Sequence, residues 1–158
     1  MLHLLCGKIA SGKSTLAKRL AGEEGAILLS EDELMAQLYP GEILTPKDFR
    51  ERTARLEAAI APIVTQLLAN SLPVVLDFHA NTRERRQWMA GLAEQAGVRA
   101  RLHWLDVSDE TCKARLRERN ASGEHPFETS EEMFDQFTAH FTPPLEGEGF
   151  DVQQYGEG

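Results

Sequence analysis

The stretch Gly7-Lys8-Ile9-Ala10-Ser11-Gly12-Lys13-Ser14 has the spacing G-x-x-x-x-G-K-[ST], with Thr15 next in the chain. Glycines at these positions let backbone N–H groups close around phosphate oxygens, and a helix that starts at the end of the loop adds its positive N-terminal field. The pattern is therefore expected to bind a nucleoside triphosphate, ATP with Mg²⁺, through Gly7, Ala10, Ser11 and Gly12. Lys13 should reach the β- and γ-phosphates, Ser14 should ligate Mg²⁺, and Thr15 should cap the loop or touch the α-phosphate. The competing reading is a glycine-rich turn that binds nothing. The apolar run Leu2–Cys6 before the loop and the helical pattern after it favour the phosphate loop.

Three further groups could complete such a site. Val74-Val75-Leu76-Asp77 is an apolar strand ending in an acid, and Asp77 is expected to hold Mg²⁺ beside Ser14. Glu31-Asp32-Glu33 follows a second apolar run, Ala26–Leu29. A carboxylate there can take the proton of an attacking hydroxyl, with Asp32 as the expected base and Glu31 as the alternative; both could equally be first-turn acids favoured by the helix dipole. Arg115 and Arg119 lie four residues apart in a basic helical run, so they share a face. They are expected to clamp the phosphates from a lid at about residues 115–130, although such runs are commonly solvated faces. Arg83 and His79 follow the Asp77 strand and are candidates for substrate contact. With Asp32, Met35, Tyr39 and the 41–48 loop they would form a partly apolar acceptor pocket. The five histidines show no metal-ligand spacing.

The elements that must position these groups alternate. Strands are expected at 2–6, 26–29, 72–77, 100–106 and 150–153, and helices at 14–24, 31–39, from 46 through the Leu67-Leu68 pair, 82–96, 108–119 and 130–141. Ser30, Ser108 and Ser130 read as N-caps, Glu33 as the partner of Ser30 in a capping box, and Gly25 and Gly97 as helix stops. Leu56, Ile60, Ile63, Val64, Leu67 and Leu68 recur at helical spacing, and Pro62 should bend that helix. Asn120–Thr129 reads as a mobile loop and Gly156–Gly158 as a disordered tail. Alternating strands and helices with continuously apolar strands argue for an α/β fold, a parallel sheet covered on both faces.

Composition narrows the class. The 158 residues fit one domain, and 42% apolar with 27% charged residues is ordinary for a globular chain. No run approaches the roughly 18 apolar residues of a membrane span, and Met1–Cys6 lacks the basic segment of a signal peptide, so a cytoplasmic location is expected. Seventeen basic and twenty-five acidic residues give a net charge of −8, which disfavours a nucleic-acid partner. Cys6 and Cys112 read as small core residues.

The ordered set of Gly7–Thr15, Leu29–Leu34, Val75–Phe78 with Thr82, Arg83 and Arg86, Leu105–Val107, Arg115–Asn120 and Phe141–Pro144 resembles the small P-loop kinases grouped as AAA-type ATPase-like, zeta-toxin-like or polynucleotide-kinase-like proteins. That resemblance implies the three-layer P-loop NTPase fold, with five parallel strands in the order 2-3-1-4-5, a catalytic Asp after the second strand that maps to Asp32, and a lid carrying arginines. Polynucleotide kinases have an Arg three residues after that Asp, where this chain has Met35. The expected reaction is transfer of the γ-phosphoryl of ATP to a small-molecule hydroxyl. An ATP-dependent switch acting on a protein partner and a polynucleotide 5′-hydroxyl kinase are the alternatives.

Overall fold

Side chains on a strand alternate between faces, and here the alternation assigns each face of one sheet its own set of helices. The computed structural model describes residues 1–123 and 128–157. Its strands are β1 (Leu2–Cys6), β2 (Ile27–Ser30), β3 (Val74–Asp77), β4 (Ala100–Leu105) and β5 (Asp151–Tyr155). They pair in parallel in the order β2-β3-β1-β4-β5. The helices are α1 (Lys13–Glu24), α2 (Glu31–Leu38), α3 (Pro46–Ala69), α4 (Arg83–Ala96), α5 (Asp109–Ser122) and α6 (Glu131–Thr138). Leu2, Leu4, Cys6, Val74, Leu76 and Leu102 pack on one side with residues of α2, α3 and α4. Leu5, Val75 and Leu105 pack on the other with residues of α1, α5 and α6. This is the expected three-layer arrangement, and Cys6 and Cys112 are buried free thiols within it.

Several boundaries differ from the sequence expectation for local reasons. The β5 strand runs on to Tyr155 because the backbone N–H of Asp106 bonds Tyr155 O at 2.8 Å and its register with β4 extends to Leu105. Helix α5 continues to Ser122 and stops at the left-handed Gly123, whereas α6 ends at Thr138, before Phe141. Pro62 lies inside α3 without ending it. Glu33 contributes only its backbone to the Ser30 cap, while the capping box forms at Thr45 and Asp48. Residues 124–127, including His125, belong to the expected loop and lid and lie outside the described residues, as does Gly158.

A buried polar chain fastens β5 to the sheet. His3 Nε2 is 2.7 Å from Glu24, His3 Nδ1 is 2.9 Å from His103 Nε2, and His103 Nδ1 is 2.8 Å from the Tyr155 hydroxyl. A carboxylate only accepts, so one assignment of neutral tautomers satisfies every link: Tyr155 donates to His103, His103 to His3, and His3 to Glu24. Burial pushes the His103 ring down to about 4, with His3 and Arg101 adding to the effect and Glu24 and Asp151 opposing it. The unfolded chain therefore takes this proton more readily than the folded one. The associated stability is complete above about pH 6.5 and is lost as pH falls toward 4. A shift of this size corresponds to about 3 kcal/mol. Chemical denaturation between pH 7 and 4 should show that loss in the wild type and a flatter profile in His103→Gln.

Candidate active site

The phosphate loop is shaped by positions that reject side chains. A Cβ on Gly7 would stand 2.5 Å from Ser11 Oγ and 3.2 Å from the Leu105 carbonyl. Gly12 and Ala10 have φ values of 103° and 63°. Asn81, in the loop after β3, grips Gly7 from both sides: its Oδ1 accepts the Gly7 N–H at 2.9 Å and its Nδ2 donates to the Gly7 carbonyl at 2.8 Å. Helices α2, α3, α4, α5 and α6 each have a Ser or Thr side chain as N-cap. Only α1 among the described helices begins at a glycine with no side-chain cap and no acid in its first turn. Its N–H groups and dipole are thus directed to an outside acceptor, which is what an anion site at a helix N-terminus requires.

Lys13 is buried and lies across this loop, its ammonium donating to the carbonyls of Gly7 and Lys8, each at 2.7 Å. Burial lowers its pKa, and the charges of Asp77 and Asp32 oppose that shift. Ser14 donates to Asp77 Oδ2 at 2.8 Å. Burial raises the Asp77 carboxyl above the usual carboxylate range, against the Ser14 hydrogen bond and the nearby His79 and Lys13. Ser11 Oγ is buried without a hydrogen-bond partner among the described residues. Such an orphan hydroxyl fits a loop built to receive phosphate oxygens. Ser14 and Thr15 are exposed at the helix start.

Ser30 is in register with Asp77 on β3, so the first turn of α2 stands at the same sheet edge as the loop. Its two acids part ways there. The Glu31 side chain has no exposure and the Asp32 side chain has 21%. Arg85 on α4 donates to Glu31 Oε2 at 2.6 Å and to Glu57 Oε1 on α3 at 2.7 Å. Burial opposes the Arg85 charge, and the two carboxylates outweigh it, keeping the guanidinium protonated. His79 Nε2 is 3.5 Å from one oxygen of each of Glu31 and Asp32. These three residues offer ligand atoms within 4.8 Å of one another, but Glu31 is already neutralised by Arg85.

The expected arginines take different places. Arg115 leans on the loop and donates to the Ser11 carbonyl at 3.2 Å. Arg119 is half-buried, its Nε without a partner among the described residues, and its pKa is drawn down by burial against the pull of Asp32. Arg83 is exposed, and its charge acts on Glu148. Met35, expected at the acceptor pocket, has no exposure and packs in the core with residues of the sheet, on the inward face of its helix. Tyr39 sits under Arg52, whose guanidinium lies 5.7 Å from the ring centroid. A surface cavity of about 480 Å³ lies between α3 and α4 against Ala61, Trp88 and Leu92 and includes no residue of this site.

The family described as AAA domain (AAA_33) matches residues 2–144. The chain belongs to that family. No match is found among curated proteins. Among solved structures, Kti12 of Chaetomium thermophilum in complex with ADP-AlF3 superposes with a TM-score of 0.76 at 15% identity, covering 99% of this chain and 89% of that one. A gluconokinase from Sinorhizobium meliloti 1021 gives 0.64 at 21% identity, over 98% and 81%. The Mycobacterium tuberculosis APS kinase CysC, in complex with AMPPNP and APS, gives 0.59 at 21% identity, over 98% and 87%. At such identities the likeness establishes the fold, that of the P-loop NTPases, in agreement with the sheet order found here.

Asn81, Arg85 and Glu57 were not singled out by sequence reasoning. Asn81 carries no spacing rule, and the link from Glu57 to Arg85 spans 28 residues. Asn81→Ala leaves the buried Gly7 N–H without its partner and leaves the Gly7 carbonyl to Lys13 alone. It should cost about 1–3 kcal/mol of stability and weaken binding of a fluorescent ATP analogue, both measurable on the purified variant.

Proposed function

We propose that this member of the family is an ATP-dependent kinase that passes the γ-phosphoryl group to a hydroxyl of a small molecule, with Asp32 as the base. The observation that carries the reading is the division between two adjacent acids: Glu31 is buried and ion-paired, while Asp32 is partly exposed and acts electrostatically on Lys13 and Arg119. An acid in that relation to the phosphate loop can take the proton of an acceptor hydroxyl.

In this mechanism the loop N–H groups and Lys13 hold the β- and γ-phosphates. The hydroxyl of Ser14 and the carboxylate of Asp77 are hard oxygen donors suited to Mg²⁺, which neutralises phosphate charge when bound. The acceptor oxygen forms a bond to the γ-phosphorus as the bond to the β-bridging oxygen breaks, Asp32 receives the hydroxyl proton, and ADP leaves. Arg115 and Arg119 offset the charge that gathers on the transferred group and its leaving oxygen. Gly7, Ala10, Ser11, Gly12 and Thr15 shape and cap the loop, and His79 stands on the acceptor side beside Asp32. Arg83, exposed at the start of α4, is assigned to the rim of that side.

The net charge of −8 and the burial of Met35 favour a small acceptor over a polynucleotide. The expected result is phosphoryl transfer from γ-labelled ATP to one or more members of a hydroxyl-compound panel. Asp32→Asn should lower kcat by about 10²–10⁴-fold with little change in ATP affinity. Lys13→Ala should abolish tight ATP binding. ATP hydrolysis without transfer to any hydroxyl compound, unaffected by Asp32→Asn, would instead fit a nucleotide switch.

A further inference from the structure

Helix α2 has eight residues, too few to hold its own rotation by backbone bonding alone. Successive side chains on a helix diverge by about 100°. Fixing the direction of Glu31 therefore fixes the direction of Asp32. Glu31 is held by Arg85, whose Nη2 lies 2.6 Å from Glu31 Oε2 and whose Nη1 lies 3.5 Å from Oε1. Glu57 holds the same guanidinium through Nε at 3.1 Å and Nη2 at 2.7 Å. Arg85 is itself anchored in the first turn of α4, where its backbone N–H donates to the Thr82 cap at 3.2 Å. Thr82 directly follows Asn81, the residue that grips Gly7. A short covalent path thus joins the phosphate loop's clamp to the group that orients α2.

We propose that Arg85 is a positioning residue: held from behind by Glu57, it withdraws Glu31 into an ion pair and sets the first turn of α2 so that Asp32 alone meets the acceptor hydroxyl. The inference rests on the kinase reading above. It makes Arg85 more than a stabilising ion pair, because the quantity it controls is the angle of the neighbouring carboxylate and not only the burial of its own partner.

A double substitution separates the two roles. Arg85→Met alone strands the Glu31 charge and should lower the melting temperature. Arg85→Met with Glu31→Gln removes the buried pair, leaves only the partly exposed Glu57 carboxylate unpaired, and should recover most of that loss. If Arg85 positions Asp32, the double variant still loses about 100-fold in kcat for ATP turnover, with the panel acceptor or with water, while its affinity for a fluorescent ATP analogue stays near wild type. Recovery of both melting temperature and kcat in the double variant overturns the proposal. Asp32→Asn is measured in parallel. Turnover unaffected by that change overturns the base assignment and this inference with it, whereas intact dependence on Asp32 with a fully active double variant overturns the positioning role alone. Crystal structures with a nonhydrolysable ATP analogue give a readout without activity: an Asp32 carboxylate in the same direction in the wild type and the double variant also overturns it.

Discussion

Four charged side chains at or near the carboxyl ends of the central strands lie out of water: Lys13, Glu31, Asp77 and Arg86. A charge in such a place needs a partner, since desolvation costs several kcal/mol for each uncompensated ion. Each partner comes from a distant part of the chain or from the loop itself. Lys13 uses the carbonyls of Gly7 and Lys8, Glu31 uses Arg85, and Asp77 uses Ser14. Arg86 pairs with Glu148 at 2.9 Å and donates to the carbonyls of Ala80 and Thr142. These pairings draw α1, α2, α4 and the segment after α6 onto one sheet edge. The site is therefore assembled by the requirement that buried charge be paired, on a scaffold fixed by apolar alternation.

That scaffold was legible because its determinants are local and periodic. The continuous apolar runs of Leu2–Cys6 and Val74–Asp77, helical spacing in Leu56–Leu68, and the caps at Ser30, Ser108 and Ser130 all act within a few residues. The phosphate loop was legible for the same reason. Strand order came from family resemblance, since periodicity alone does not say which parallel strands are neighbours. The lesser members of the site were hidden because their meaning arises only through space. Glu57 looks like one more charge on a long helix until Arg85 meets it. Met35 was read by its place in a motif, and its own helix turned it inward.

The side formed by α5 and α6 is held by a different kind of force. Helices α5 and α6 share two ion pairs, Lys113–Asp135 at 2.9 Å and Arg117–Glu131 at 2.6 Å, and both pairs involve exposed groups. Exposed pairs contribute little, typically under about 1 kcal/mol. The burial of Leu116 and Phe134 in one apolar cluster carries more of the association. Helix α6 then reaches α3 through an edge-on contact of Phe137 with Phe49, 5.5 Å between centroids, and Phe49 faces His79 at 6.2 Å.

A ring closes through these contacts. The phosphate loop touches α5 at Arg115, α5 packs on α6, α6 touches α3 at Phe137, and α3 returns through Phe49 to His79 beside Asp32. The links differ in kind. Those on the sheet side are buried ion pairs and short hydrogen bonds with fixed geometry, whereas the links from α6 to α3 and on to His79 are half-exposed aromatic contacts. The sheet side thus fixes Lys13, Ser14, Asp77 and the Glu31–Arg85 pair through short directional contacts, while Arg115 and Arg119 stand on the helix tied back to α3 by apolar and aromatic packing.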